Sequence, residues 1–312
     1  MDTTGRGAGR RRRLGNLLLT LTALIWGTAF VAQRAGMEHI EPLTFTASRM
    51  ALSAVAVGLV ALFATGRGGE RPAQRSDAAA KARRSTVLGG VCCGAFLASA
   101  SIFQQMGVVY TTAGKAGFIT AMYMLLVPVI NFALFGKRNT WLVWLAVLTG
   151  VAGMYLLCVT GGFRLERGDM LVCVCAVLFS GHILCCDHFA PLGDPIQISA
   201  IQFATAAVIS GAMAFILETP TWAKVASAAV PILYCGIMSG GVGYTLQIVA
   251  QRHTDPTVAS LLMSLESVFA AIAGALLLGE RMSPRELAGC AVMFVAIVLV
   301  QLPLPDRKGA GR

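Results

Sequence analysis

Residues 116–136 read AGFITAMYMLLVPVINFALFG, and residues 259–279 read ASLLMSLESVFAAIAGALLLG, and these two apolar stretches decide the fold. Each is about as long as the roughly 20 apolar residues that a helix needs to cross the hydrocarbon core of a bilayer. Both are continuously apolar, whereas the strands of a membrane β-barrel alternate polar and apolar residues. Since backbone groups in lipid must bond within their own segment, both stretches predict transmembrane helices.

Eight further apolar stretches of this kind fill the chain between Leu14 and Leu302. The composition agrees, because 56% of the residues are hydrophobic and only 13% are charged, whereas a soluble domain has about 25% charged residues. We therefore predict an all-α integral membrane protein with ten transmembrane helices.

The second half of the chain repeats the pattern of the first half. A shift of 143 positions, from 104 to 247, places Gln104 on Gln247 and Gly136 on Gly279, and a shift of 153, from 23 to 176, places Ala23 on Ala176. Five helices per half is an odd number, so the two halves must insert in opposite orientations, as in many secondary transporters. The predicted organisation is a basic tail 1–13, a first repeat 14–163, a second repeat 164–305 and a tail 306–312.

The positive charges predict the orientation. Most of the 25 Lys and Arg residues lie in segments that are cytoplasmic if the N-terminus is cytoplasmic, including the basic loop 66–84. The positive-inside rule then places both termini in the cytoplasm of a plasma (inner) membrane. The net charge of +10 is explained by loops that face anionic lipid, so we expect no nucleic-acid partner.

Several motifs resemble the EamA branch of the drug/metabolite transporter superfamily. Helix 1 carries Ala23-Leu-Ile-Trp-Gly-Thr-Ala-Phe30, helix 2 carries Arg49, and helix 9 reads Leu265-Glu-Ser-Val268 before Gly279-Glu-Arg281. The resemblance covers the chain from about Leu17 to Val300. Ser267 stands where proline is common in that family, and helix 4 ends in Gly-Lys-Arg where Gly-Glu-Arg is frequent.

The resemblance implies a secondary transporter that exports or exchanges small metabolites, such as amino acids or their derivatives, by alternating access. The chain has no phosphate-binding G-x-x-x-x-G-K-[ST] loop, so we expect neither an ATPase nor another enzyme, and no cofactor or metal. The expected partners are a small-molecule substrate, the lipid bilayer, protons for coupling, and a second copy of the chain in a homodimer. A membrane-embedded sensor, scaffold or enzyme without transport activity stays open as the alternative.

Two charged residues within predicted helices are candidates for substrate binding or coupling. A carboxylate in mid-membrane costs about 2.5–3.5 kcal/mol on insertion scales, so Glu266 should face a cavity, a partner or a proton. It is a candidate proton carrier or, equally, a structural residue bonded to another helix. For Arg49 the favoured interpretation is snorkelling towards the outer interface, and the alternative is contact with a substrate carboxylate.

Further polar and aromatic residues can line a central pocket, since ligand pockets combine an apolar wall with a few convergent polar groups. The competing interpretation for each is an interhelical hydrogen bond. The candidates are Trp26, Gln104, Tyr123, His182, Gln202, Tyr244 and Gln247. Candidates for gating are Pro128, expected to break or kink helix 4 near its middle, and Gly240 and Gly241, which are expected to bend helix 8.

The nine cysteines form no C-x-x-C pair of the kind found at zinc or redox sites. We interpret them as small apolar residues in helix contacts. A thiol-sensing or metal role stays open at the cluster Cys185, Cys186, Asp187 and His188.

Overall fold

The computed structural model describes residues 3–67, 77–136, 140–158, 166–251, 254 and 256–301. All secondary structure within these ranges is helical. The elements are α1 (Thr3–Gly36), α2 (Pro42–Arg67), α3 (Asp77–Val108), α4 (Ala113–Thr120), α5 (Tyr123–Phe135), α6 (Trp141–Cys158), α7 (Arg167–Phe189), α8 (Pro195–Leu217), α9 (Trp222–Ser227), α10 (Ala229–Leu233), a π-helix (Tyr234–Tyr244), α11 (Thr245–Gln251), α12 (Pro256–Met263), α13 (Glu266–Leu277) and α14 (Pro284–Gln301).

Seven helical segments in the described ranges are long and apolar enough to cross a membrane. They are Arg13–Gly36, Pro42–Phe63, Ala79–Val108, Ala113–Phe135, Arg167–Phe189, Pro195–Leu217 and Ala229–Gln251. Trp141–Leu156 and Glu266–Leu277 are apolar but shorter. The predicted tail 306–312, residues 68–76 of the predicted basic loop 66–84, and Lys137 and Arg138 lie outside the described residues, and residues 77–84 of that loop form the start of α3.

Helix α1 runs through the middle of the bundle. It packs against α13, the π-helix, α11 and α12, whereas α2 packs on α8, and α3 packs on both α7 and α8. Gly27 permits one of these close approaches, because a Cβ atom there would lie 2.7 Å from the Glu266 carbonyl oxygen of α13. The side chains of α1 are thereby presented to elements from both halves of the chain.

The predicted helices 4 and 9 are both interrupted, and at corresponding positions. Helix α4 ends at Thr120 and α5 begins at Tyr123, while α12 ends at Met263 and α13 begins at Glu266. The shift between the two interruptions is 143, from 123 to 266. The expected break at Pro128 is not found there, because Pro128 lies inside α5, whereas a kink at Pro128 stays a prediction. The second half is interrupted without a proline at the corresponding position, which is Ala271, so proline does not cause the interruption.

Two glycines end the second segments of these interrupted helices. Gly136 and Gly279 have φ angles of 64° and 66°, the left-handed conformation that glycine adopts without a Cβ penalty. A Cβ atom at either position would meet nothing within 4 Å, so backbone conformation rather than space selects glycine. The two positions again differ by 143, from 136 to 279.

The glycine-rich segment of the second half forms the π-helix, where the sequence predicts a bend at Gly240 and Gly241. A π-helix is rare and appears mostly as single turns at functional sites. The Ser53 hydroxyl of α2 donates a hydrogen bond of 2.7 Å to the Gly236 carbonyl oxygen. At Gly240 an added Cβ atom would collide with the same hydroxyl, so glycine lets α2 and the π-helix approach closely.

Two carboxylates from the second half bind the N-termini of helices from the first half. Glu218 accepts hydrogen bonds from the backbone N–H groups of Leu43 and Thr44 at 2.9 and 2.7 Å. Glu280 accepts them from Ala113 and Gly114 at 2.8 and 3.2 Å. The first N–H groups of a helix have no partner within the helix, and the helix dipole favours an anion there. Each contact therefore stabilises one end of the bundle.

Replacing Glu280 by alanine is expected to lower the free energy of unfolding by about 1–2 kcal/mol, because α4 loses both acceptors at its N-terminus. Glu280→Gln should lower the free energy of unfolding by less, since the amide oxygen can still accept one hydrogen bond. Thermal melting in detergent checks this, with Glu38→Ala as the control, since Glu38 is exposed. Equal melting temperatures for Glu280→Ala and Glu38→Ala would show that the capping contact contributes nothing.

At the same end of the bundle, Lys224 of α9 pairs with Glu41, which precedes α2. The hydrogen bond from Lys224 holds the pKa of the Glu41 carboxyl below its ordinary value of 4.5, although partial burial opposes the shift. Both side chains are 34% exposed, so the pair is worth less than about 1 kcal/mol.

A lowered pKa in the folded state predicts a stabilising contribution above the ordinary pKa of Glu41. This contribution is lost as the pH falls through the lowered pKa. We therefore expect Lys224→Met to lower the melting temperature slightly at neutral pH and to match the unaltered protein at a pH well below 4.5. Melting curves across that range check the sign, and a difference that grows with acidity would contradict it.

Candidate functional site

A buried cavity lies where the two halves of the chain meet around α1. The space in it that can hold solvent is only about 20 Å³, room for about one water molecule, so the cavity is nearly closed in this structure. Its lining residues are Trp26, Phe30, Gln33, Arg49, Gln104, Thr120, Tyr123, Phe179, His182, Ile183, Ser239, Tyr244, Gln247 and Glu266.

The two helix interruptions place a residue from each half at this cavity. Tyr123 is the first residue of α5 and Glu266 is the first residue of α13, and both line the cavity. Glu266 thus lies in the first helical turn, where the helix dipole favours a negative charge. Its Oε1 atom and the Tyr123 hydroxyl are buried with no hydrogen-bond partner within 3.5 Å, although the two side chains lie close enough to interact with each other.

Helix α1 contributes a stripe of three lining residues. Trp26, Phe30 and Gln33 have the spacing i, i+4 and i+7, which places them on one face of a helix. The Trp26 indole N–H donates a hydrogen bond of 3.2 Å to the Ser239 carbonyl oxygen, and its ring centroid lies 4.5 Å from that of Tyr244. The two rings form an aromatic wall of the cavity.

Arg49 of α2 lines this cavity. Only 3% of the residue is exposed, so the favoured interpretation from sequence, snorkelling towards the outer interface, is wrong. The sequence around Arg49 gives no sign that the side chain lines a cavity together with residues of α1, α3 and the π-helix. The Nε and Nη2 atoms of Arg49 are buried without hydrogen-bond partners.

Gln247 of α11, like Arg49 and Glu266, has a buried polar group without a hydrogen-bond partner. It is completely buried, and neither its Nε2 nor its Oε1 atom has a hydrogen-bond partner. Buried polar groups in folded proteins are nearly always hydrogen-bonded, and each exception calls for an explanation such as a ligand or bound water. Arg49, Gln247 and Glu266 bring such groups to one cavity, although others lie elsewhere in the described residues, as on Ser101 and Gln251, so the cavity is a candidate binding site.

Two other predicted residues use their polar groups within the protein. The His182 Nε2 atom lies 3.0 Å from Gln202 Oε1, the distance of a hydrogen bond in which the ring N–H donates. Gln104 donates from Nε2 to the Thr120 hydroxyl at 3.3 Å. The interpretation of interhelical hydrogen bonds therefore applies to these pairs, and they support the wall of the cavity.

The structure brings eight of the nine predicted binding or coupling candidates to one cavity. The ninth, Gln202, lies behind His182. The gating candidates Pro128, Gly240 and Gly241 do not line the cavity. Sequence reasoning missed Gln33, Thr120 and Ser239, among others, although the helical spacing of Gln33 from Trp26 was a usable signal.

One member of the predicted cluster, Cys186, lies beside the cavity and contacts Cys93. Cys93 and Cys186 are completely buried, with their sulfur atoms 3.7 Å apart, and the Cys186 sulfur is 3.6 Å from His182 Nε2. Within the described ranges, no group of three or more His, Cys, Asp or Glu side chains could hold a metal ion. These thiols pack α3 against α7 behind His182.

Comparison with protein families gives one match that covers both halves of the chain. The model of the EamA-like transporter family matches residues 13–159 and again residues 166–302. The starts of the two matches differ by 153 and their ends by 143, from 13 to 166 and from 159 to 302, which are the two shifts found in the sequence.

Similar proteins are named as transporters. An uncharacterized transporter of Archaeoglobus fulgidus is 26% identical over 302 residues, which cover 96% of this chain and 89% of the relative. A protein of Streptantibioticus cattleyicolor named "Probable terminal-alkyne amino-acid exporter" is 23% identical, with 94% of both chains covered. A solved crystal structure shares the fold with a TM-score of 0.69 at 18% identity, covering 91% of this chain and 95% of that one.

Proposed function

We propose that this chain, which belongs to the EamA-like transporter family, is a secondary transporter that exports or exchanges small metabolites such as amino acids or their derivatives. The buried cavity carries the proposal, because it gathers unpartnered polar groups of Arg49, Gln247 and Glu266 from three elements. Secondary transporters bind substrate near the membrane midplane, between their two repeats. The name of the Streptantibioticus relative supports amino acids as the first class to try.

The proposed architecture is ten transmembrane helices in two inverted five-helix repeats, 14–163 and 164–305. The corresponding interruptions at Tyr123 and Glu266 and the corresponding glycine ends at Gly136 and Gly279 support an internal duplication. The family model, which matches the chain twice, supports it too. Alternating access would then follow from movement of one repeat against the other around the cavity.

The proposed orientation places both termini in the cytoplasm of the plasma (inner) membrane, as the positive-inside rule indicates. The end of the bundle with Glu41, Glu218 and Glu280 then faces outwards. Its contacts close that end, so the structure would correspond to a state that is shut on the outside. Assembly as a homodimer stays a prediction without support from the geometry.

Proton exchange is the proposed coupling. Glu266 is the only carboxylic acid among the described residues that line the cavity, and only 3% of it is exposed. A carboxyl group that is neutral when protonated has a lower free-energy cost within the membrane than a permanent charge, also while access changes from one side to the other. Glu266 would therefore carry the proton.

Transport by purified protein in liposomes tests the proposal. Uptake and efflux are measured for a panel of amino acids and related metabolites, with and without a pH gradient, beside liposomes without protein. We expect protein-dependent movement of at least one amino-acid class, and a response to the gradient. Chemical conversion of a compound without its movement would favour an enzyme, and no movement of any compound by folded protein would contradict a transporter.

A further inference from the structure

The two opposite charges of the cavity are held apart. Arg49 and Glu266 are each 3% exposed, and both line the cavity. No ion pair within 4.0 Å joins them, although such pairs are formed elsewhere in the described residues, as between Lys115 and Asp169 at 2.7 Å. Each leaves polar atoms without a hydrogen-bond partner, Nε and Nη2 on Arg49 and Oε1 on Glu266.

Two buried charged side chains without direct contact have a high free-energy cost unless another group binds to both. Taking a charge out of water costs several kcal/mol, which a nearby opposite charge and hydrogen bonds must offset. A purely structural pair would gain most from direct contact between guanidinium and carboxylate, which is the strong bidentate geometry of arginine. The side chains instead border the same space from α2 and α13, with the unpartnered amide of Gln247 also at its edge.

We propose, resting on the transport function above, that this cavity, once opened by movement of one repeat against the other, recognises a zwitterion, with the substrate carboxylate at Arg49 and the substrate ammonium at Glu266. A ligand with both charges satisfies both buried groups at once and keeps the cavity neutral. The aromatic wall of Trp26 and Tyr244, whose centroids are 4.5 Å apart, together with Phe30 and Phe179, is left to contact an apolar substrate side chain.

The proposal separates zwitterions from compounds with a single charge. A substrate amine without a carboxylate would leave Arg49 buried and unpaired. A substrate acid without an amine would leave Glu266 buried and unpaired. A site built to bond a group strongly rejects an analogue that lacks it, because the buried partner is then left unsatisfied. We expect removal of either charge from the substrate to weaken binding at least tenfold.

Matched ligands test this on the unaltered protein. For leucine, phenylalanine and threonine, the free amino acid is compared with its amide, which lacks the carboxylate, and with its N-acetyl derivative, which lacks the ammonium. Binding to purified protein in detergent is measured by calorimetry and by ligand-induced thermal stabilisation. We expect at least one of the free amino acids to bind with tenfold or higher affinity than both its amide and its N-acetyl derivative. Equal or tighter binding of the derivatives in all three series would overturn the proposal.

Two variants assign the charges to residues. In Arg49→Gln, the loss of affinity from the free amino acid to its amide should fall from at least tenfold to below about threefold, while the loss for the N-acetyl derivative stays. In Glu266→Gln, the loss of affinity for the N-acetyl derivative should fall in the same way, while the loss for the amide stays. The control is His188→Gln, at an exposed position at the end of α7, which should keep both penalties. Penalties that do not change in either variant would overturn the assignment. If a variant fails to fold, Arg49→Lys or Glu266→Asp keeps the charge and should keep the preference.

Failure of the zwitterion proposal can be distinguished from failure of the proposed transport function. Transport of amides or N-acetyl compounds at rates equal to those of the free amino acids would leave the transporter and remove the zwitterion preference. No transport of any compound in liposomes, from protein that melts cooperatively, would remove the transport function itself.

Discussion

Glu266→Gln is expected to lower the pH-gradient-driven accumulation of substrate in liposomes at least tenfold, while exchange of substrate across the same membrane continues at raised substrate concentration. Glutamine has nearly the shape of glutamate but cannot take up or release a proton, so the variant keeps the cavity and loses the coupling. Raised concentrations offset the weaker binding of the ammonium group. Accumulation and exchange are measured in the same liposome preparation.

Glu38→Gln is the matched control, since it removes a carboxylate at an exposed position between α1 and α2. It should accumulate substrate like the unaltered protein. If Glu266→Gln accumulated substrate normally in response to the gradient, Glu266 would not carry the proton and its role would be structural. Loss of both accumulation and exchange at every concentration, from folded protein, would also contradict the separation of binding from coupling.

Gly27→Ala is expected to destabilise the protein by about 1–3 kcal/mol, the usual cost of overpacking, and to abolish most transport. The added Cβ atom would lie 2.7 Å from the Glu266 carbonyl oxygen and 2.9 Å from the Ala270 nitrogen. These are backbone atoms of α13, so no side-chain rotation can relieve the contact. Helices α1 and α13 would separate, and Glu266 would move away from Trp26. Thermal melting and transport are measured on the same preparation.

Gly58→Ala is the matched control, because a Cβ atom there would meet nothing within 4 Å. It sits in the interior of α2, where alanine has the higher helix propensity in water, so its melting temperature should be unchanged or slightly raised. Equal melting temperatures and equal transport for Gly27→Ala and Gly58→Ala would show that the approach of α1 to α13 does not hold Glu266 in place.

The sequence predicts the all-helical fold and which residues correspond between the halves. The apolar stretches and the shift from 104 to 247 need only composition and alignment, and the helix ends at Gly136 and Gly279 agree with that shift. The position of Glu266 and of the Tyr123 hydroxyl at one cavity also follows from a simple rule, because polar and ionisable groups within apolar helices are costly to leave in lipid.

The side to which Arg49 points could not be predicted from sequence. Apolar and hydroxyl residues surround it in α2, and because lipid and protein interior are both apolar, the helix period gives little contrast in a membrane. The elements that pack most closely on α2 are α8 and the π-helix, which lie far away in sequence. The helix interruptions at Ala121 and Ser264 were missed for a related reason, since neither position carries a proline or glycine.

Contacts across long sequence separations were also beyond prediction. Glu280 binds the N-terminus of α4, 166 residues away from Gly114, and Glu218 binds α2, 174 residues away from Thr44. A carboxylate near the end of one helix does not reveal which other helix it will cap. Only the folded arrangement of α4 beside α13 supplies the partner.

A structure of the protein with a transported amino acid bound, determined in a lipid nanodisc, tests the central claim most directly. The account predicts ligand density in the cavity between α1, α2 and α13, with the carboxylate within hydrogen-bond distance of Arg49 and the ammonium within that distance of Glu266. Density for the ligand at another place in the protein, with Arg49 and Glu266 unchanged and no ligand between them, would contradict it.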